Sequence, residues 1–175
     1  MDISQGAPPG AAVTARVLTV DEWPIWRELR LQALADAPEA FGSTLAEWTG
    51  SGDSPDRWRN RLRSVPRNVV LYTGGRPVGM VGGQILGDGM VELISLWVAP
   101  CARGRGIGDA AIEHIVGWAN GADVSLSVRQ DNLRAQKLYA RHGFVHEGLS
   151  PDDPSELRFI RRRTNAADLH TRHMM

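Results

Sequence analysis

"VAPCARGRGIGDAA", Val98 to Ala111, sets the end of an apolar strand against two arginines and three glycines, and then opens a helix. The first N–H groups of a helix have no partner within it, and together with the helix dipole they favour a negatively charged oxygen. Gly104, Gly106 and Gly108 remove Cβ atoms that would hold a ligand away, while Arg103 and Arg105 can donate charge-assisted hydrogen bonds. A pyrophosphate suits this chemistry. The competing explanation is a plain reversal, in which glycine serves a tight turn and the arginines are solvated.

Upstream of this turn the chain changes period and gives three strand-like runs in a row. "NVVLYTGG", "RPVGMVGGQILGDG" and "MVELISLWVAP" are apolar or alternating runs parted by glycine-containing turns, the pattern of an antiparallel meander. Downstream, Ile107, Ala111, Ile112, Ile115, Val116 and Ala119 recur at helical spacing, with Gly121 as the expected stop. "ADVSLSVRQDN" alternates as a strand, "LRAQKLYARHG" reads as a short helix, and "FVHEGL" and "ELRFIRR" supply two closing strands. Near the start, "TARVLT" predicts a strand, and Ile25, Trp26, Leu29, Ala33 and Leu34 share one helix face. "LAEWTGSGDSPDRWRNRLRSV" reads as helical pieces broken by a Gly/Ser loop. The order is strand, helices, three strands, helix, strand, helix, two strands, which predicts a mixed α/β sheet.

Length and composition set the outer limits. A chain of 175 residues with 42% hydrophobic content buries one core, so one domain is expected over residues 13–162, with flexible tails at 1–12 and 163–175. Twenty basic and twenty acidic residues cancel, which argues against bulk attraction to nucleic acid or an anionic membrane. Cys101 is the single cysteine, ruling out an internal disulfide or a cysteine-cluster metal site and suiting a cytoplasmic location. It is expected to be a small buried or half-exposed thiol rather than a nucleophile, having no histidine near it in sequence. His170 and His173 near the C-terminus lack further ligands, so no metal is expected. No segment reaches the length of a membrane span.

Gly106, Gly108 and Ala111 also satisfy a G-x-G-x-x-A dinucleotide fingerprint, with Asp131 about 20 residues downstream. That pattern raises the alternative of a Rossmann-type nicotinamide oxidoreductase. Two features oppose it: Pro100 to Arg103 intervene between strand and turn, and too little chain follows Asp131 to complete a doubly wound sheet. A P-loop is excluded, because no Gly-Lys-Ser/Thr follows the glycines.

"WVAPCARGRGIGDAAI" resembles the coenzyme A loop of the GNAT N-acetyltransferase superfamily, whose pattern Gln/Arg-x-x-Gly-x-Gly/Ala is filled by Arg103, Gly106 and Gly108. "VRQDNLRAQKLYARHGF" resembles that superfamily's second signature at Asn132, Ala135, Leu138, Tyr139, Gly143 and Phe144. The two occur in the right order and separation. The resemblance implies the GNAT fold, a single mixed and mostly antiparallel central sheet flanked by helices, and an acetyl-CoA-dependent transfer to a primary amine. It places the donor pyrophosphate on the backbone from Arg103 through Gly104, Arg105, Gly106 and Ile107 to Gly108. The pantetheine arm falls beside Leu96, Trp97 and Val98, at the splayed end of their strand. "PEAFGST" looks like a stretch found in a bacterial branch of these enzymes, without naming an acceptor.

An ammonium acceptor cannot attack a thioester until it loses a proton. Glu92 is the candidate base, being the charged residue in the run from Met90 to Pro100; a strand carboxylate facing solvent or an arginine is the alternative. Tyr139 occupies the position of the superfamily's acid, which would protonate the departing thiolate, and its alternative is simple core packing. Asn132 either orients the pantetheine or caps the following helix. Phe41, Glu47 and Trp48 are candidate acceptor contacts, since aromatic faces and a carboxylate suit an amine cation. The acceptor is either a small amine or a protein amine. A non-catalytic acyl-CoA-binding module remains open, and a homodimer is compatible with the resemblance.

Overall fold

The computed structural model describes residues 10–163. His170 and His173, and most of both expected tails, lie outside the described residues. Strand β1 (Val13–Val17) leads to helix α1 (Trp23–Asp36), three short 3₁₀ turns and helix α2 (Pro55–Ser64). The meander follows as β2 (Arg67–Thr73), β3 (Arg76–Ile85) and β4 (Val91–Val98). Then come α3 (Ile107–Ala119), β5 (Val124–Arg129), α4 (Leu133–Arg141), β6 (Val145–Leu149) and β7 (Glu156–Arg161).

The seven strands form one sheet in the order β1-β2-β3-β4-β5-β7-β6. Every neighbouring pair is antiparallel except β4 and β5. This is the expected mixed sheet, and its antiparallel order excludes the doubly wound alternative.

Local chemistry explains the helix limits. Ser54 accepts a hydrogen bond from the Arg57 amide at the start of α2, with Pro55 at its first position. Asn68 Nδ2 donates to the carbonyls of Leu62 and Val65, satisfying backbone groups at the other end of α2. Helix α3 ends on Asn120 in the left-handed region (φ 49°), one residue before the expected Gly121. Asn tolerates that conformation through its short polar side chain.

The core forms where α1, α2 and α3 cover the sheet. Trp26, Leu29, Ala33 and Leu34 from α1 and Trp58 from α2 are almost fully buried, together with Val69, Val70 and Leu71 of β2. Helix α3 lies over β3 so closely that a Cβ on Gly83 would sit 2.7 Å from the Trp118 ring. Trp48 and Trp58 stack with centroids 4.4 Å apart, and Arg57 lies over Trp48.

Asp53 ties the two N-terminal helices together, accepting from Arg27 Nε (2.7 Å) and Nη2 (2.5 Å) and from Trp58 Nε1 (2.8 Å). Those donors, Arg27 foremost, pull its carboxyl down to about 2 from an ordinary 3.8. A depressed carboxylate contributes stability above its unfolded pKa, and that contribution disappears as pH falls through the folded value. The thermal midpoint of the wild type therefore drops from pH 4 to pH 2, and Asp53→Asn shows a shallower decline over that window in a pH series of melts.

Candidate active site

Strands β4 and β5 are paired over only two positions, Val91 with Val124 and Glu92 with Ser125. Beyond Glu92 they diverge. A register shift on the other side of β4 accounts for the divergence: Gly82 faces Ile94, but Met80 faces Trp97, so β4 carries one residue more than β3 across the same span. The extra residue bends the strand, as a β-bulge does. At its centre Ser95 holds φ 57°, a conformation that costs a non-glycine residue about 1–3 kcal/mol and persists only where its surroundings hold it there.

The wedge opens into a cleft of about 860 Å³ with Leu93 to Val98 on one wall and Ser127 to Arg129 on the other. The glycine turn closes one end. Gly104 and Gly106 sit at φ 75° and 79° with open space where a Cβ would go, so glycine is required there by the backbone itself. Gly108 has a different reason: a Cβ would lie 2.9 Å from Leu138, so glycine lets α4 approach α3. Gly106 is the N-cap of α3 and offers no side chain, leaving the first amides of α3 uncapped towards the cleft.

The proposed donor residues gather around this turn, although not all as free groups. Arg103 donates from Nη2 to Asp36 (2.5 Å) and from Nε to the Val98 carbonyl (3.0 Å). Asp36 also accepts from Trp97 Nε1 at 2.9 Å. Burial raises the Asp36 carboxyl, but the hydrogen bonds from Trp97 and Arg103 outweigh it and leave the carboxyl below its ordinary value. Arg103 thus fastens the turn to α1 and occupies the Val98 carbonyl. Leu96, Trp97, Val98, Gly104, Gly106, Ile107 and Gly108 all line the cleft. Arg105 is exposed beside the same turn.

Glu92 lines the cleft, half-buried, and receives a hydrogen bond from Gln84 Nε2. Tyr139 also lines it and is 7% exposed, with its ring edge-on to Phe144 at 6.0 Å. Burial pushes its phenol well above the ordinary value, so it stays protonated at any working pH. Asn132 caps α4, accepting from the Ala135 amide at 3.1 Å, and also borders the cleft. Of the three candidate acceptor contacts only Phe41 is there. Glu47 instead accepts from the Thr44 amide (2.6 Å), and Trp48 packs into the helical layer. Cys101 is on the exposed side of the short turn Pro100–Ala102, which buries Ala102 instead.

Among the cleft residues that the sequence reading did not single out, Glu156, Arg30 and Ser95 carry chemistry. Glu156 opens β7, and its carboxyl is raised by burial first and then by Asp153. Arg30 sits on the buried stripe of α1, four residues after Trp26, and Ser95 is the bulge itself. A charge on an otherwise apolar helix face was the available signal for Arg30; nothing local marks a bulge. Among the described residues no group of His, Cys, Asp and Glu could hold a metal ion, and no helix is long and apolar enough to cross a membrane.

A sequence model of the Acetyltransferase (GNAT) family matches residues 25–144, which take in the wedge, the glycine turn and Tyr139. The chain belongs to the GNAT acetyltransferase family. Among its GNAT relatives is an N-alpha-acetyltransferase RimI from Mycobacterium tuberculosis, 33% identical over 120 residues, covering 66% of this chain and 76% of the relative. The fold is shared with solved acetyltransferases at lower identity. The PaiA N-acetyltransferase of Thermoplasma acidophilum, crystallised with coenzyme A, has TM-score 0.68 and 16% identity over 87% of this chain and 99% of its own. RimL, a ribosomal L7/L12 alpha-N-protein acetyltransferase also crystallised with coenzyme A, has TM-score 0.71 and 13% identity over 91% and 98%. As a GNAT member, the protein is an acyltransferase.

Proposed function

We propose that the protein moves the acetyl group of acetyl-CoA to a primary amine by direct attack within the β4–β5 wedge. The observation that carries this reading is the divergence of β4 from β5 after Glu92, with the uncapped start of α3 at its mouth. The diphosphate rests on the backbone from Arg103 to Gly108. The pantetheine amides pair with the edge of β4 that β5 leaves open, at Leu96 to Val98, as a strand would, the Val98 carbonyl keeping its bond from Arg103 and Asn132 standing on the other wall. An N–H of β4 serves as oxyanion donor. The family's use of coenzyme A in PaiA and RimL supports the donor.

Glu92, directly or through a water, takes the proton from the acceptor ammonium, and Tyr139 gives one to the departing thiolate. The likeness to RimI favours a protein α-amine over a small amine. The domain spans residues 13–162 and needs no metal. A catalytically silent acyl-CoA-binding module is the second reading, and a half-buried Glu92 and a protonated phenol lining one cleft weigh against it.

The test combines thermal stabilisation by acetyl-CoA against NAD with thiol release over a panel of amines. Stabilisation by acetyl-CoA and release with at least one amine is the expected result. Stabilisation without release selects the module, and no stabilisation by acetyl-CoA ends the proposal.

A further inference from the structure

Two arginines converge beneath the bulge. Arg30 of α1 and Arg61 of α2 both donate to Ser95 Oγ, at 3.4 and 3.3 Å. Their other partners are equally neutral: Ser43 Oγ for Arg30 (3.0 Å) and Asn68 Oδ1 for Arg61 (3.1 Å). Arg30 lies over the Phe41 ring and Arg61 over that of Trp26. Trp26 is fully buried, and its indole N–H has no acceptor among the described residues.

Three other arginines that line the cleft are matched with acids, Arg103 with Asp36, Arg129 with Asp131 and Arg141 with Asp109, while Arg134 lines it from the exposed first turn of α4. Arg30 differs, being 8% exposed with hydroxyls as its hydrogen-bond acceptors. No acidic group among the described residues acts on either guanidinium; burial draws Arg30 down to about 10, and burial with the Arg30 charge does the same to Arg61. Buried charge without a counter-charge is among the most costly features a fold can carry. Holding the Ser95 hydroxyl needs one neutral donor, and two like charges exceed that need.

Arg30 lines the cleft beside Ser95 and Phe41, whereas Glu92, Asp152 and Glu156 line it as acids. The cleft therefore offers carboxylates to an ammonium and a forked cation to an anion.

We propose that Arg30, backed by Arg61, receives a carboxylate of the acceptor, so that the amine acetylated carries a carboxylate a few bonds from its nitrogen. A guanidinium fork matches both oxygens of such a group. The inference rests on the acetyl-transfer reading above. The carboxylate comes either from the α-carboxylate of a free amino acid or from an acidic first side chain of a peptide N-terminus.

The experiment measures thiol release from acetyl-CoA by the full chain with each amino acid against its amide. A second arm sets peptides beginning with Asp or Glu against those beginning with Asn or Gln. The acid form in one arm is preferred by roughly 30-fold or more in kcat/KM, and that arm names the source. Arg30→Met brings the ratio towards one, and Arg30→Lys, which keeps charge without the fork, leaves an intermediate ratio. Turnover of amides and acids alike by the wild type overturns the inference while acetyl transfer stands, as does an equal loss on both forms in Arg30→Met. Preference for a dicarboxylic acyl-CoA over acetyl-CoA overturns it too, since the anion would then belong to the donor. Should no amine release thiol, melts with coenzyme A decide separately. Stabilisation of the wild type by the acid over its amide, absent in Arg30→Met, supports the seat, and no difference removes it.

Discussion

Tyr139→Phe lowers kcat by about 10²–10⁴-fold, the usual contribution of a positioned proton donor, while acetyl-CoA binding and the thermal midpoint stay near wild type. The separation follows from what the ring and the hydroxyl each do. The ring is buried and meets Phe144 edge-on, and phenylalanine keeps both contacts. What vanishes is one O–H at the cleft wall, held neutral by burial. In the proposed mechanism the coenzyme A thiolate then leaves unprotonated when the tetrahedral intermediate collapses. Steady-state thiol release with ligand-dependent melts reads both quantities, and a variant turning over at the wild-type rate removes Tyr139 from the chemistry.

The second large effect is at Glu92. Glu92→Gln loses about 10²–10⁴-fold in kcat at neutral pH with donor binding intact. The deficit shrinks as pH rises towards the pKa of the acceptor ammonium, because the amine then arrives already deprotonated. That pH dependence distinguishes a lost base from a lost strand contact, which would cost the same at every pH. Glu156 is the control. It lines the same cleft with a raised carboxyl, so full activity in Glu92→Gln paired with loss in Glu156→Gln would transfer the role to β7.

Most of the architecture could be read from periodicity. The apolar alternation in β2 to β5 and the 3.6-residue spacing in α3 are local signals, set by which side chains the neighbouring layer must cover. The glycine turn was equally legible, since left-handed backbone at Gly104 and Gly106 leaves few other choices. The acceptor side was not. Glu47 and Trp48 looked suitable by type, yet their orientation depends on how the 3₁₀ turns fold against α2. Arg30, Arg61 and Ser95 are 31 or more positions apart in sequence, and only the crossing of two helices over a bulged strand brings them together. Arg103 was legible as a member of the turn but not as Asp36's partner, a contact spanning 67 residues.

The two-position ladder between β4 and β5 has a mechanical consequence. Strands β1 to β4 with α3 form one leaf, and β5 to β7 form another, joined along the sheet by a spine two residues long. Across the aperture between the leaves the Asp109 carboxylate of α3 accepts from Arg141 Nη2 at 2.9 Å and pairs with His142 Nε2 at 2.8 Å, a clasp that resists separation where the short ladder does not reach.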